Sequence, residues 1–269
     1  MAFKKSLVVA ATMAVAAFGA ALEGINDCAT TEPSAELLAA AKEMASQEAA
    51  KAKINTQARD DADTNVPTYL HVIASSKSKS DGYLSKEDVL ATVDGMNRDY
   101  EGLGFQFDVQ EVIHTINTTW AAGEDAMVMK RQLRTGNYKT LNIYFVPKFR
   151  ANGQCPFPRS VTADSAEFWG DGCTILSKVY DNKQTTTHEV GHWLGLFHTF
   201  QGGCDEDNDY VADTPALINE WSCDKNADTC PDMPGKDPVN NFMSYGTCRN
   251  EFTPGQVTRM KSMYQKFRA

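Results

Sequence analysis

The sequence predicts an α/β fold: a twisted mixed sheet with helices ahead of one histidine-rich helix, then an irregular half stapled by cysteines. Three observations carry this. Runs rich in β-branched and aromatic residues at Val66–Ala74, Phe105–Ile113 and Leu141–Val146 alternate with helix-period segments, the order strand, helix, strand, helix, strand. Three of the five histidines fall within residues 188–198. From Gln201 onward regular periodicity fades, and four cysteines stand among many Asp, Asn, Gly and Pro residues.

In chain order, Lys4 and Lys5 precede an apolar run from Leu7 to Phe18 and the small residues Gly19, Ala20 and Ala21. This run is too short to span a bilayer and reads as a secretory signal peptide over residues 1–21. No later stretch is apolar enough to cross a membrane, so a secreted chain is expected. Residues 22–65 read as a segment separate from the folded domain: Ser34 caps a helix rich in strong formers that runs to Lys51 or Lys53, and a polar, linker-like stretch from Asn55 to Asn65 follows. The folded domain is placed at 66–269. Within it, Asp81-Gly82 marks a turn, and Ser85 with Asp88 opens a helix through Arg98 that turns Val89, Leu90, Val93 and Met96 inward. A second helix spans Glu124 to Leu133. Leu141–Val146 is a buried strand, Thr174–Leu176 an edge strand, and Asn182 or Thr185 caps the histidine helix. Thr253 and Pro254 open a final helix with Val257, Met260 and Met263 on one side.

Composition narrows the partners. A formal net charge of −9 argues against a broad phosphate-binding surface, so no nucleic-acid partner is expected. In an oxidising compartment six of the seven cysteines could form three bridges, leaving one over. Spacing alone fixes no connectivity.

The chemistry concentrates in His188-Glu189-Val190-Gly191-His192-Trp193-Leu194-Gly195-Leu196-Phe197-His198. His188 and His192, four apart, project from one helix face and can reach one metal ion. Glu189 adjoins that face, within reach of a metal-bound water. Gly195 permits positive φ, so the chain can turn and return His198 as a third nitrogen ligand. The expected cofactor is one catalytic Zn2+, and the expected partners are protein or peptide substrates.

The extended motif resembles that of the metzincin metalloproteases, and Asn240–Gly246 resembles their Met-turn. Among them the chain is similar to the pappalysin family, especially its secreted fungal members. That resemblance rests on Gly202-Gly203-Cys204, Asp209–Pro215, Asn241–Tyr245 and Phe252–Gln256. It implies a metzincin-like catalytic domain, zinc held by His188, His192 and His198, and Glu189 as general base and then general acid. Met243 would support the histidines. Tyr245 would either stabilise the oxyanion or be a structural phenol beneath the turn. The family's pairing implies Cys204–Cys230 and Cys223–Cys248, which leaves Cys155 and Cys173 to each other. Cys28 would be a cysteine switch that plugs the open zinc position, although Ala29 and Asp27 stand where the family has Gly and often Arg; an idle thiol is the other reading. Calcium-binding members make Asp209, Val211 and Thr214 candidate Ca2+ ligands in the acidic loop that also holds Asp205, Asp207 and Asp213, and a solvated loop explains these residues equally well. Asn117-Thr118-Thr119 is a glycosylation sequon.

The function expected is a secreted zinc endopeptidase made as a zymogen, a monomer released by an activating protease. The competing reading is a secreted binding protein that keeps zinc only for its shape.

Overall fold

The structure is a computed structural model that describes residues 26–53, 63–218 and 221–269. The expected signal peptide and most of the linker lie outside the described residues. Six strands form one sheet: β1 (Asn26–Cys28), β2 (Thr64–Ala74), β3 (Phe105–Ile116), β4 (Leu141–Val146), β5 (Ala151–Gln154) and β6 (Cys173–Leu176). Their order across the sheet is β1-β5-β6-β4-β2-β3. All neighbours run parallel except β5, which is antiparallel to β6. The helices are α1 (Ala35–Lys53), α2 (Lys86–Asp99), α3 (Thr118–Ala121), α4 (Ala126–Leu133), α5 (Ala166–Gly170), α6 (Lys183–Trp193) and α7 (Pro254–Phe267). The expected mixed sheet is therefore present.

The continuous apolar run of β4 suits a strand covered on both faces, and all six of its residues are buried. Its exception, Asn142, is satisfied: the side chain bonds His71 Nε2 at 2.9 Å and both backbone groups of Thr135 at 3.0 Å. Helix α2 begins at a complete capping box, Ser85 with Asp88, and buries Val89, Val93 and Met96 in the core shared with Val190, Trp193 and Leu194 of the α6 region. Helix α7 has the same kind of start, Thr253 with Gln256 and Pro254 in its first turn, and buries Met260 and Met263.

Several boundaries and one placement differ from the sequence reading. β2 starts two residues earlier, at Thr64, β3 continues to Ile116, and the helix expected from Glu124 begins at Ala126 with a separate turn, α3, before it. The segment placed at an edge, Thr174–Leu176, is internal: β6 lies between β5 and β4. The strand that displaces it, β5, reads Ala-Asn-Gly-Gln and carries almost no strand propensity. All three implied disulfides are present, Cys155–Cys173, Cys204–Cys230 and Cys223–Cys248, and Cys28 is free.

One buried charge cluster joins the C-terminal end of the chain to its middle. The Asp171 carboxylate pairs with Arg268 at 3.0 Å and Arg134 at 3.2 Å, and accepts the Trp193 indole N–H at 3.2 Å. Arg268 also donates to the Trp193 carbonyl and stacks 3.7 Å from the centroid of that ring, so the C-terminus clamps the exit of α6. Burial alone would raise the Asp171 pKa, but the Arg268 and Arg134 guanidiniums outweigh it and hold the carboxyl below its usual value. A depressed carboxyl contributes stability above its unfolded pKa of about 3.9, and that contribution fades as pH falls through the lower folded value. Asp171→Asn leaves two buried guanidiniums uncompensated, so the expected loss is about 3–5 kcal/mol at neutral pH, read by denaturant titration. That deficit should shrink on acidification below about pH 4, where the wild type loses the same interaction.

Candidate metal centre

Helix α6 brings the histidine motif into the core. Asn182 occupies its N-cap position without a side-chain cap bond, so the helix start is held by packing rather than capping. At the other end Gly195 adopts φ +95°, and a Cβ there would stand 2.6 Å from Met263, so both the turn and the packing require glycine. The turn sends His198 back toward the helix as expected.

The three imidazoles converge. His192 Nε2 lies 3.2 Å from His188 Nε2 and 3.1 Å from His198 Nε2. Behind them the other nitrogens are tied down: His188 Nδ1 donates to the Phe242 carbonyl and His192 Nδ1 to the Leu196 carbonyl, each at 2.7 Å. These bonds set the tautomer that leaves Nε2 unprotonated and facing the common point. Burial lowers the pKa of all three rings, His192 to about 4, and keeps them neutral, the form that coordinates metal. A tetrahedral ion with nitrogens at about 2.0–2.1 Å needs nitrogens about 3.3 Å apart, so the donor set fits such an ion. Cys28 Sγ belongs to the same cluster, in which all four candidate ligand atoms lie within 4.8 Å of one another.

Met243 is fully buried under the helix. Its sulfur packs so closely that a Cβ on Gly191 would be 2.5 Å away, which gives that motif position a steric meaning. The Tyr245 hydroxyl lies 3.1 Å from His198 Nε2, and its ring contacts Phe200 and Trp221 with centroids 4.8 and 4.9 Å away. Glu189 is buried, and burial pushes its pKa up to about 8 against hydrogen bonds from Cys28 and Thr30. Cys28 Sγ donates to Glu189 Oε2 at 3.5 Å, and Thr30 Oγ1 stands 3.3 Å from the same oxygen. Burial first, then the facing Glu189 carboxylate, push the Cys28 thiol up.

Those contacts come from a segment laid across the site. β1 adds to β5 in parallel register, Asn26 opposite Ala151 and Cys28 opposite Gly153. The Ala29 N–H continues the ladder to the Gly153 carbonyl at 2.9 Å, while the Thr30 hydroxyl bonds the Cys155 carbonyl at 3.0 Å. Gly153 is needed here because a Cβ would stand 2.5–2.8 Å from the Glu189 side chain. Beside the histidines a cavity of ≈ 380 Å³ is lined by Thr30, Glu32, His198, Phe200, Gln201 and Tyr245, and Gln201 donates to Glu32 across it at 2.6 Å.

Sequence reasoning missed Thr30, Gly153 and Arg249. Arg249 is buried beneath the Met243 turn, where it donates to the Ser244 carbonyl at 3.1 Å. No local pattern marks any of them. The acidic loop divides into three kinds of residue. Asp205 and Asp207 are exposed, and Asp207 pairs with Lys42 at 3.4 Å. Asp213 accepts from Thr253 Oγ1 at 2.7 Å and the Gly255 N–H at 2.8 Å at the start of α7. Asp209 is buried and accepts the Val211 N–H with one oxygen; the buried Thr214 hydroxyl lies beside its carboxylate and lowers its pKa, and among the described residues Asp209 Oδ2 and Thr214 Oγ1 have no other hydrogen-bond partner. Asn117 N-caps α3 through its side-chain oxygen.

Among the described residues no helix is long and apolar enough to cross a membrane. The family model described as pregnancy-associated plasma protein-A, peptidase M43, matches residues 124–265, more than half of the chain. An extracellular metalloprotease of Neurospora crassa is 42% identical over 279 residues, covering 98% of each chain. Counterparts of the same description from Sordaria macrospora and Coccidioides posadasii are 43% and 42% identical and cover 98% and 91% of this chain and of their own. Among solved structures, a promirolysin mutant of Tannerella forsythia superposes with TM-score 0.63 at 20% identity over 90% of this chain and 94% of its own. Mature mirolysin in complex with a cleaved peptide gives 0.60 at 22% identity over 76% and 92%. The structural likeness supports the metzincin fold, and the sequence likeness goes further: the chain belongs to the M43 pappalysin family and is an extracellular metalloprotease.

Proposed function

We propose that the chain is a zinc endopeptidase made as a zymogen, with signal peptide 1–21, prosegment and linker 22–65, and catalytic domain 66–269. The convergence of three Nε2 atoms on one point, with the Glu189 carboxylate and the Cys28 thiol against it, carries this reading. His188, His192 and His198 would hold the ion. Zinc bound there supplies Lewis acidity, lowering the pKa of a coordinated water toward neutrality and polarising the scissile carbonyl. The protein does the rest. The carbonyls of Phe242 and Leu196 hold two of the rings in their donor orientation. Glu189 takes the proton of the attacking water at a carboxylate oxygen and hands it to the leaving amine. The Tyr245 hydroxyl, already beside the histidines, donates to the oxyanion of the substrate.

Cys28 closes the site in the uncut chain. Its thiol is in the ligand cluster, and a nearby dication would reverse the electrostatics that hold it protonated, making the thiolate a fourth ligand. Residues 26–30 also block the β5 edge and cover Glu189, so latency has a steric part that does not depend on sulfur. Calcium at Asp209, Val211 and Thr214 is the second cation we propose. The buried Asp209 carboxylate, bonded through one oxygen to the Val211 N–H and set beside the Thr214 hydroxyl, supports it, and so does the rise of the Asp209 pKa to about 8, which burial causes and a bound cation would relieve. Asn117 is proposed as a glycan site on its Nδ2.

Three outcomes follow. Glu189→Gln should retain one zinc per chain by metal analysis and lose about 10²–10⁴-fold in peptide turnover; near-normal turnover would remove Glu189 from its role. Cys28→Ala should raise the activity of the uncut chain over wild type, and equal latency would assign the block to β1 alone. Adding calcium to chelator-treated protein should raise the thermal midpoint, by linkage of a ligand to the folded state, and Asp209→Asn should abolish that rise.

A further inference from the structure

We infer that the groove beneath α1 is a helix-docking surface in its own right, which keeps residues 26–53 bound as a non-covalent inhibitory partner after the chain is cut before β2. This rests on the prosegment reading above. The inward face of α1 is Leu37, Ala41 and Met44, at helical spacing and exposed by 1%, 0% and 9%. It packs on Phe157, Phe197 and Met263, with Tyr210 and Phe267 alongside. Polar contacts fasten both ends. Ser160 Oγ donates to Glu36 at 2.7 Å near the helix start. Near its end Glu48 receives Arg259 through two bonds, 3.2 and 2.9 Å, and the Arg259 side chain is only 2% exposed.

None of these contacts uses the covalent connection to β2. If α1 left, five apolar side chains would face water and the Arg259 guanidinium would lose its carboxylate, so re-docking is favoured. The short connection from Cys28 to Ser34 couples the two attachment points, α1 in its groove and β1 on β5, so seating either raises the effective concentration of the other. The groove also touches the centre directly: Phe157, part of its floor, packs edge-on against His192 with ring centroids 5.2 Å apart. Activation then takes two events, scission of the linker and removal of α1.

The test uses the full chain carrying Glu189→Gln, to prevent self-digestion, with a recognition sequence for a site-specific protease placed within residues 54–62. After folding and cutting, the prosegment fragment should co-elute with the catalytic part on size exclusion at about 10 µM. A labelled synthetic peptide of residues 26–53 should exchange into this complex, and unlabelled 26–53 should compete for it. Peptide 26–33, which has β1 but not α1, should compete at least about tenfold more weakly, as should 26–53 carrying Ala41→Glu. Peptide 26–53 carrying Cys28→Ala should compete within about tenfold of the unmodified peptide. Because these changes sit in the peptides, folding of the catalytic part is untouched. Separate elution directly after cutting, or equal competition by 26–33, would overturn the inference. Binding is read without turnover, so failure of the protease reading would appear instead as absent cleavage by the Glu189-containing chain once α1 is digested away.

Discussion

The structure depends on keeping a polar helix in the middle of an apolar core. Thr185, Thr186, Thr187, His188, Glu189 and His192 of α6 are all buried, which costs stability wherever a polar atom lacks a partner; among the described residues the Thr186 hydroxyl and Glu189 Oε1 have none, whereas Thr187, His188 and His192 are bonded. The partners come from both halves of the chain. Asp99 accepts the Thr187 hydroxyl at 2.6 Å from the α2 side, and the Phe242 carbonyl accepts from His188 on the Met243 side. The helix exit is clamped by Arg268, and the clamp is neutralised by Asp171. Each half of the fold is thus needed to make α6 tolerable, and the metal-binding geometry follows from that arrangement.

The edge of the sheet shows a second constraint. Without β1, β5 would be an uncovered strand offering unpaired backbone groups, a ready template for an extended peptide. In the structure β1 takes that template, and the side chains of Cys28 at its end and Thr30 two residues beyond reach Glu189. On the zymogen reading proposed above, the same edge would hold an extended substrate once β1 leaves it, and α1, whose groove shares Phe157 with the histidine site, would help to keep β1 in place. Gly153 is what lets β5 approach Glu189 so closely.

The histidine motif was legible because its geometry is local: spacing of four on one helix turn and a glycine with positive φ determine where three rings go. The strand and helix order was legible for the same reason, since β4 is a continuous apolar run and α2 carries a helix-period pattern behind a capping box. Legibility ended where structure depends on distant pairing. β5 is four residues of weak propensity that become a strand only because β6 and β1 flank them, and β6 becomes internal as a result. The Asp171 cluster joins residues 134, 171, 193 and 268, which no window can associate. Composition marked the acidic loop as one feature, whereas burial separated Asp209 from Asp213, a helix-start acceptor, and from the solvated Asp205.

The central claim is that the three histidines and Cys28 share one zinc ion in the uncut chain. X-ray absorption at the zinc edge tests it most directly. The uncut protein should show one sulfur at about 2.3 Å with nitrogens at about 2.0–2.1 Å, and the activated protein should show the sulfur replaced by a light atom. A zinc environment without sulfur in the uncut chain, or one unchanged by activation, would contradict the account.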